Sequence, residues 1–285
     1  MKTVLTLGAN IEILPAPLGA VNSLYMVTKH NYSRNGVVIM LGFLLAFSCI
    51  AKAQKNIKEN KENMPLISFT YGYYLPAGDL ANRFGNNSAI GGAFHFKMKN
   101  NIMFGAEGNF MFSRNVKENT ILTPIDSDEH GYVFNKDGQI SQILLFERGY
   151  TLGVTAGKVF PIVGPNPNSG VLLKVGTGFM QHKIRIEHQN DRIPQLEGEY
   201  IKGYDRLTNG IMLTQFIGYF NMSNNKFANF YIGLEFLEGF TQNRRGFNYD
   251  TKSYDTSRRM DIFQGVKIGW CIALYKRTAN NYYYN

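Results

Sequence analysis

From residue 64 onward, stretches of about ten residues alternate apolar with polar or small side chains. The clearest runs from Asn229 to Glu238: Phe230, Ile232, Leu234 and Phe236 share one face, and Asn229, Tyr231, Gly233 and Glu235 the other. Near the end of the chain Ile262, Val266, Ile268, Trp270, Ile272 and Leu274 oppose Asp261, Gly265, Lys267 and Gly269. Ile102, Phe104, Ala106, Phe110 and Phe112 oppose Gly105, Glu107, Asn109 and Ser113, and Ile90, Phe94, Phe96 and Met98 oppose Gly91, Ala93, His95 and Lys97. Successive strand side chains point to opposite faces, so this period of two predicts strands with one apolar face. Less regular candidates are Leu66–Tyr74, Gly149–Phe160, Gly170–Ile186 and Asn209–Asn221. The last is ambiguous, because Ile211, Leu213 and Ile217 fall on one face and Met212, Phe216 and Phe220 on the other.

These segments make eight, an even number that can close on itself. The connections alternate in length. Those at 99–100, 161–169 and 222–226 are compact, whereas those at 75–87, 114–148, 187–208 and 242–259 are longer. Short turns at one end and long loops at the other characterise outer-membrane barrels, and backbone crossing a bilayer as strands must close to pair every polar group. The expected fold is all-β: a closed, antiparallel, eight-stranded transmembrane β-barrel with long extracellular loops and short periplasmic turns. A soluble barrel or sandwich shares the alternation but has little reason to gather its long loops at one end.

With the apolar face toward lipid, His95, Lys97, Glu107, Lys174, Glu235, Asp261 and Lys267 point inward. An eight-stranded ring is just wide enough for side chains to fill, and unpaired buried charge is costly. The interior therefore reads as a salt-bridged plug without a conducting pore. A rival reading makes His95 and Glu107 an intramembrane active site, yet no nucleophile with a neighbouring base accompanies them.

Residues 36–50 (GVVIMLGFLLAFSCI) form the only long apolar run, preceded by Lys29, His30 and Arg34 and followed by AKAQ at 51–54. A basic stretch, a short apolar stretch and an A-x-A site describe a secretory signal peptide cleaved after Ala53. The run is shorter than the roughly 20 residues of a spanning helix. Met26 resembles a natural start, which makes residues 1–25 a mis-assigned extension, and an alternative lipidates Cys49. Residues 54–63 then read as a flexible periplasmic lead-in, 64–276 as the barrel and 277–285 as a tail.

The net charge of +9 raises nucleic acid as a partner. Several of the basic residues, however, lie in the first sixty positions and others alternate with apolar residues within strands, with no basic helix or base-stacking motif, so that reading is set aside. If Cys49 leaves with the signal, Cys271 remains alone and no intrachain disulfide forms. There is no P-loop, G-x-S-x-G, HExxH or Cys/His metal spacing; the chain is expected to be non-enzymatic, with no cofactor and no metal. Asp126, Asp128, Glu129 and Asp137 cluster in loop two but miss the EF-hand spacing, and read as a solvated acidic loop. In loop four Arg244, Arg245, Arg258 and Arg259 are candidates to bind lipopolysaccharide phosphates, which suit the guanidinium fork; a solvated loop, or self-pairing with Asp250 and Asp255, is the alternative.

The segments AKAQ, TYGYYLPAGDLANRFG (70–85), GEYIKGYDRLTNG (198–210) and RMDIFQGVKIGWCIALYKR (259–277) resemble those of small outer-membrane β-barrels of the Bacteroidota, over residues 64–276. Barrels of this kind include PorT-like proteins that accompany the type IX secretion system. The chain departs from the family's habit of finishing at an aromatic residue of the last strand, and Trp270 and Tyr275 are the candidates for that signal. The resemblance implies a cell outer-membrane location, contact with lipopolysaccharide, and envelope or secretion proteins as partners. The resulting expectation is a scaffold or binding component of the envelope, with a small porin and a lipid- or peptidoglycan-acting enzyme as alternatives.

Overall fold

A computed structural model of the chain describes residues 54–55, 60–125, 133–188, 193–223, 226–274 and 276–277. The alternation resolves into eight strands: β1 (Met64–Gly78), β2 (Asn87–Lys97), β3 (Ile102–Ser113), β4 (Ile143–Phe160), β5 (Gly170–His188), β6 (Thr208–Asn221), β7 (Phe230–Asn243) and β8 (Arg258–Ala273). Each pairs antiparallel with its sequence neighbour, and β8 pairs with β1 to close the ring. Val266 lies opposite Tyr73 across this seam and Ile272 opposite Ile67. Two short pairings lie outside the barrel: Val133–Phe134 with Ile140–Ser141, and Gln54–Lys55 with Lys276–Arg277.

The wall is apolar outside and polar or small inside. Phe69, Val175 and Ile211 are 58, 63 and 65 % exposed, while Lys267 and Lys97 are 1 and 0 % exposed. This reverses the soluble arrangement and matches a transmembrane barrel, whose outer band meets hydrocarbon and whose core lies within the ring. Among the described residues no helix is long and apolar enough to cross a membrane.

Apolar groups also fill both ends of the lumen, which settles the ambiguity of β6. Ile211, Leu213 and Ile217 face outward, whereas Phe216 and Phe220 turn into a floor with Met64, Leu66, Met103 and Tyr231. Met212 belongs to a cap at the opposite end, built with Tyr74, Met180, Leu237 and Phe263 from the wall. Loop residues Leu80, Phe84, Ile121, Leu122, Ile193, Leu196 and Tyr204 complete that cap. The long loops thus fold over the mouth and bury their own apolar residues there, including the single-turn helix α1 (Leu80–Arg83).

Several strands run further than the alternation suggested. β1 continues past Tyr74 to Gly78, β4 begins at Ile143 rather than Gly149, and β7 passes Glu238 to Asn243. These extensions lie on the long-loop side, where a strand no longer facing lipid can carry Arg148 and Arg185 outward and loses the apolar rhythm. The first loop accordingly shortens to 79–86 and the fourth to 244–257.

Residues 60–63, the end of the expected lead-in, lie against the short turns. The Asn168 amide donates to the Asn60 carbonyl at 2.7 Å, and the Lys99 N–H donates to the Asn63 side-chain oxygen at 2.6 Å. Trp270 lies at that end on the lipid side, stacked on Phe69 and Phe227, its indole N–H donating to the Phe227 carbonyl at 2.9 Å. Cys271 is a free, buried thiol. The expected signal run, Met26, Cys49, the cleavage point at Ala53, Asp126, Asp128, Glu129, Tyr275 and the end of the tail lie outside the described residues.

Candidate functional site

Between cap and floor sits a layer of ionisable side chains. Lys267 projects from β8 and reaches Glu107 of β3 at 2.6 Å and Glu235 of β7 at 2.8 Å. Lys174 of β5 pairs with the other oxygen of Glu107, against which His95 of β2 also lies at 3.1 Å. The Tyr74 hydroxyl donates to Glu235 at 2.5 Å, and the Lys174 ammonium lies 4.7 Å from the centre of the Tyr231 ring. Asn109, Thr70, Thr151 and Thr155 carry hydrogen bonds round the wall, Thr155 meeting His95 Nε2 at 3.1 Å.

Small residues make this crowding feasible. Lys267 is flanked in register by Gly72 on β1 and Gly233 on β7. A methyl on Gly157 would approach Lys174 Cγ to 2.8 Å, and one on Gly269 would meet the Tyr231 ring at 2.2 Å. The void left among Glu107, Asn109, Thr155, Thr214, Glu235 and Lys267 is about 10 Å³, at most a single water. Buried charges packed this way satisfy one another.

Of the seven lumen residues read from the sequence, five converge: His95, Glu107, Lys174, Glu235 and Lys267. Lys97 sits apart near the short turns and donates to Asn168 at 2.8 Å. Asp261 lies toward the cap, accepting from Thr241 at 2.5 Å and paired with His182 at 2.9 Å. Sequence reasoning missed His182, Tyr74 and Glu147, and placed Tyr231 on the inward face without giving it a role. Glu147 is fully buried and accepts from the Asn87 amide at 3.2 Å. Its position before the expected start of β4 concealed it, although its inward parity with Thr151 and Thr155 was a usable signal.

Above the cap a second polar cluster ties the loops together. Arg83 of the first loop contacts Glu118 of the second at 3.0 Å, Thr208 at 3.0 Å and Asp255 of the fourth at 3.8 Å. Glu118 also holds Arg206 of the third loop at 3.1 Å, and Arg206 pairs in turn with Asp250. Arg245 grips Asp205 with two parallel bonds, one of 2.7 Å, a geometry that raises the guanidinium's proton affinity. Burial works against the Asp255 carboxylate. Hydrogen bonds from the Ser257 hydroxyl and N–H and from the Asn243 amide, with Arg83 nearby, nevertheless hold it below the ordinary aspartate value. Burial also pushes the Tyr204 hydroxyl up.

The four loop arginines therefore divide. Arg245 and Arg259 are committed to Asp205 and Asp255. Arg244 donates to the Asn209 side-chain oxygen at 2.6 Å. Arg258 is exposed at the start of β8. A cavity of about 450 Å³ opens at this mouth, lined by Arg83, Arg206, Arg259, Asp255, Asn248 and Tyr254 among others. Among the described residues no group of three or more His, Cys, Asp or Glu is placed to hold a metal ion.

No protein-family model matches the chain, and no curated protein matches it. Solved structures that resemble it are small bacterial barrels. Ail, the attachment invasion locus protein of Yersinia pestis, solved with the heparin analogue sucrose octasulfate, is 13 % identical with a TM-score of 0.31, covering 74 % of this chain and 99 % of its own. Neisserial surface protein A is 10 % identical with a TM-score of 0.32, covering 72 and 96 %. The outer membrane protein OprG from Pseudomonas aeruginosa is 11 % identical with a TM-score of 0.33, covering 76 and 99 %. Likenesses this weak carry no argument, and the fold and the site rest on the chain's own geometry.

Proposed function

We propose that the chain is a non-enzymatic β-barrel of the Gram-negative outer membrane that serves, through its outer loops, as a binding or scaffolding component of the envelope. One observation carries the reading: a closed ring whose outer wall is a band of exposed Phe, Ile, Leu and Val and whose interior is ionic. Only a hydrocarbon surround makes that wall favourable.

The filled lumen favours binding over transport. Lysines and carboxylates saturate one another, and apolar layers lie above and below them. The same crowding disfavours catalysis at His95 and Glu107, since the adjoining void is about 10 Å³. At the mouth, by contrast, loops sit on a rigid frame, where binding residues concentrate. Arg148, Lys183, Arg185 and Arg258 project outward at the long-loop end of the wall, at the height where lipopolysaccharide phosphates would meet them. Envelope or type IX-like secretion proteins are the partners suggested by the resemblance of segments such as TYGYYLPAGDLANRFG.

Three measurements test the proposal. Cell fractionation is expected to place the protein in the outer membrane, and a freely soluble product would refute the reading. Planar-bilayer recording is expected to show no stable channel; sustained openings would favour a porin. Crosslinking and pull-down from native membranes is expected to recover an envelope partner, and a protein always solitary would remove the scaffold role.

A further inference from the structure

The outward positions of β1 to β4 carry only apolar, aromatic or small residues from Phe69 to Leu75, Ile90 to Phe96, Phe104 to Phe110 and Tyr150 to Ala156, and become polar at the next rungs, where Lys158 lies opposite Ile102 and Arg148 opposite Phe112. The other half of the wall differs. Thr177 on β5, Gln215 on β6, Glu238 on β7 and Gln264 on β8 all point outward by strand parity. The register gathers them into one patch: Leu213 is flanked by Thr177 and Glu238, and Phe236 by Gln215 and Gln264.

Glu238 does not reach the polar rim. Its strand neighbours are Leu213 and Ile262. The next rung outward consists of Ile211, Phe240 and Met260, which are 65, 53 and 41 % exposed. Only the rung beyond that is polar, with Asn209, Gln242 and Arg258. Among the described residues its side chain makes one hydrogen bond, accepting from the Gln215 amide at a long 3.4 Å. A carboxylate in hydrocarbon with one weak donor needs further partners.

We propose that this face joins two copies of the chain side by side in the membrane, with the Gln215 and Gln264 amide donors of one copy serving Glu238 of the other. A two-fold interface brings the same patch of each copy together, so the patch must hold both halves of its own complement. This one does, with amide donors beside a carboxylate acceptor and with Leu213 and Phe236 to pack between them; the Thr177 hydroxyl is already given to the Met212 carbonyl at 3.1 Å. Both copies insert in the same sense, so an axis along the membrane normal keeps the two patches at matching depth. Acyl chains offer no donor, and a lipid phosphate would repel the carboxylate. Side chains that hydrogen-bond across an interface are a recognised glue between membrane segments.

The inference rests on the membrane placement proposed above, so its test reports the two separately. Purified Leu213→Cys protein is reconstituted at low density in phosphatidylcholine vesicles and oxidised. Vesicle flotation and the gel shift of the unheated barrel establish insertion, and Cys271 is buried and so silent. Leu213→Cys is expected to give a disulfide-linked dimer at least about tenfold faster than Ile90→Cys on β2, across the ring from β6. Adding Glu238→Leu, Gln215→Leu and Gln264→Leu is expected to abolish that excess while flotation and gel shift persist. Equal rates for Leu213→Cys and Ile90→Cys in inserted protein would show that Gln215 serves Glu238 within a monomer, and would overturn the proposal. So would a triple variant that crosslinks like its parent.

Discussion

Lys267 reaches Glu107 and Glu235 because β3, β7 and β8 aim at one layer of the lumen, and the glycine beside it at 72 leaves room for the Tyr74 ring that completes the layer. A cation shared by two carboxylates in a dry interior cannot be removed quietly. Lys267→Met is expected to destabilise the barrel by about 3–5 kcal/mol, since truncating one member of a buried ion cluster strands the others. The urea midpoint of the folded, heat-modifiable form in vesicles measures it, and a shift within error would mean that the cluster is not dry. At Gly269 the constraint is steric: a side chain there must displace the Tyr231 ring. Gly269→Val is expected to lose about 1–3 kcal/mol, as overpacked cores do. Adding Tyr231→Ala should recover part of that loss by the same urea assay, and additive losses would count against the contact. The inward ionic residues were legible because alternation alone assigns a face. Their partners were not, because Tyr231 fell on the inward face with no sign of its contact to Lys174, Tyr74 closed a less regular segment, and His182 carries no local signal of its tie to Asp261.

At the scale of elements, the strands were readable and the loops were not. A strand facing lipid on one side and a packed lumen on the other must alternate, and β3, β7 and β8 do so in plain view. β6 did not declare its faces, because its inward Met212, Phe216 and Phe220 belong to cap and floor and are as apolar as its outward residues. The loops escaped because their ties join residues far apart in sequence: Arg83 to Glu118 and Asp255, Arg206 to Asp250, Arg245 to Asp205. Read locally, the arginines of the fourth loop looked available for ligands, and two of them are spent on carboxylates. Acid should loosen this arrangement. The folded Asp255 carboxyl titrates below its unfolded counterpart near pH 4. Its contribution is therefore complete above about pH 4 and disappears as pH falls through the lower folded value. Near-UV circular dichroism of the loop tyrosines is expected to fade reversibly below about pH 4 while the strand signal persists; an unchanged spectrum down to pH 2 would contradict the tie.

For the molecule as a whole, two independent regularities led to the architecture: strand alternation and the alternation of short and long connections. Both follow from one surround, since a bilayer demands closure and opposite insertion ends face different compartments. Partner and ligand are not encoded at that scale, because the wall answers to lipid and the lumen to itself; only the mouth and the β5–β8 face are free to answer to something else. The ring also has a seam. β1 and β8 are zipped together along thirteen residue pairs, from Asp261 opposite Gly78 to Ala273 opposite Leu66, so the first strand must wait for the last before either edge is satisfied. Until Arg258–Ala273 arrives, seven strands form an open sheet with two raw margins that lipid cannot pair. Insertion is thereby made all-or-nothing, and a chaperone or assembly machine that shields those margins would govern how much of this protein a cell can mature.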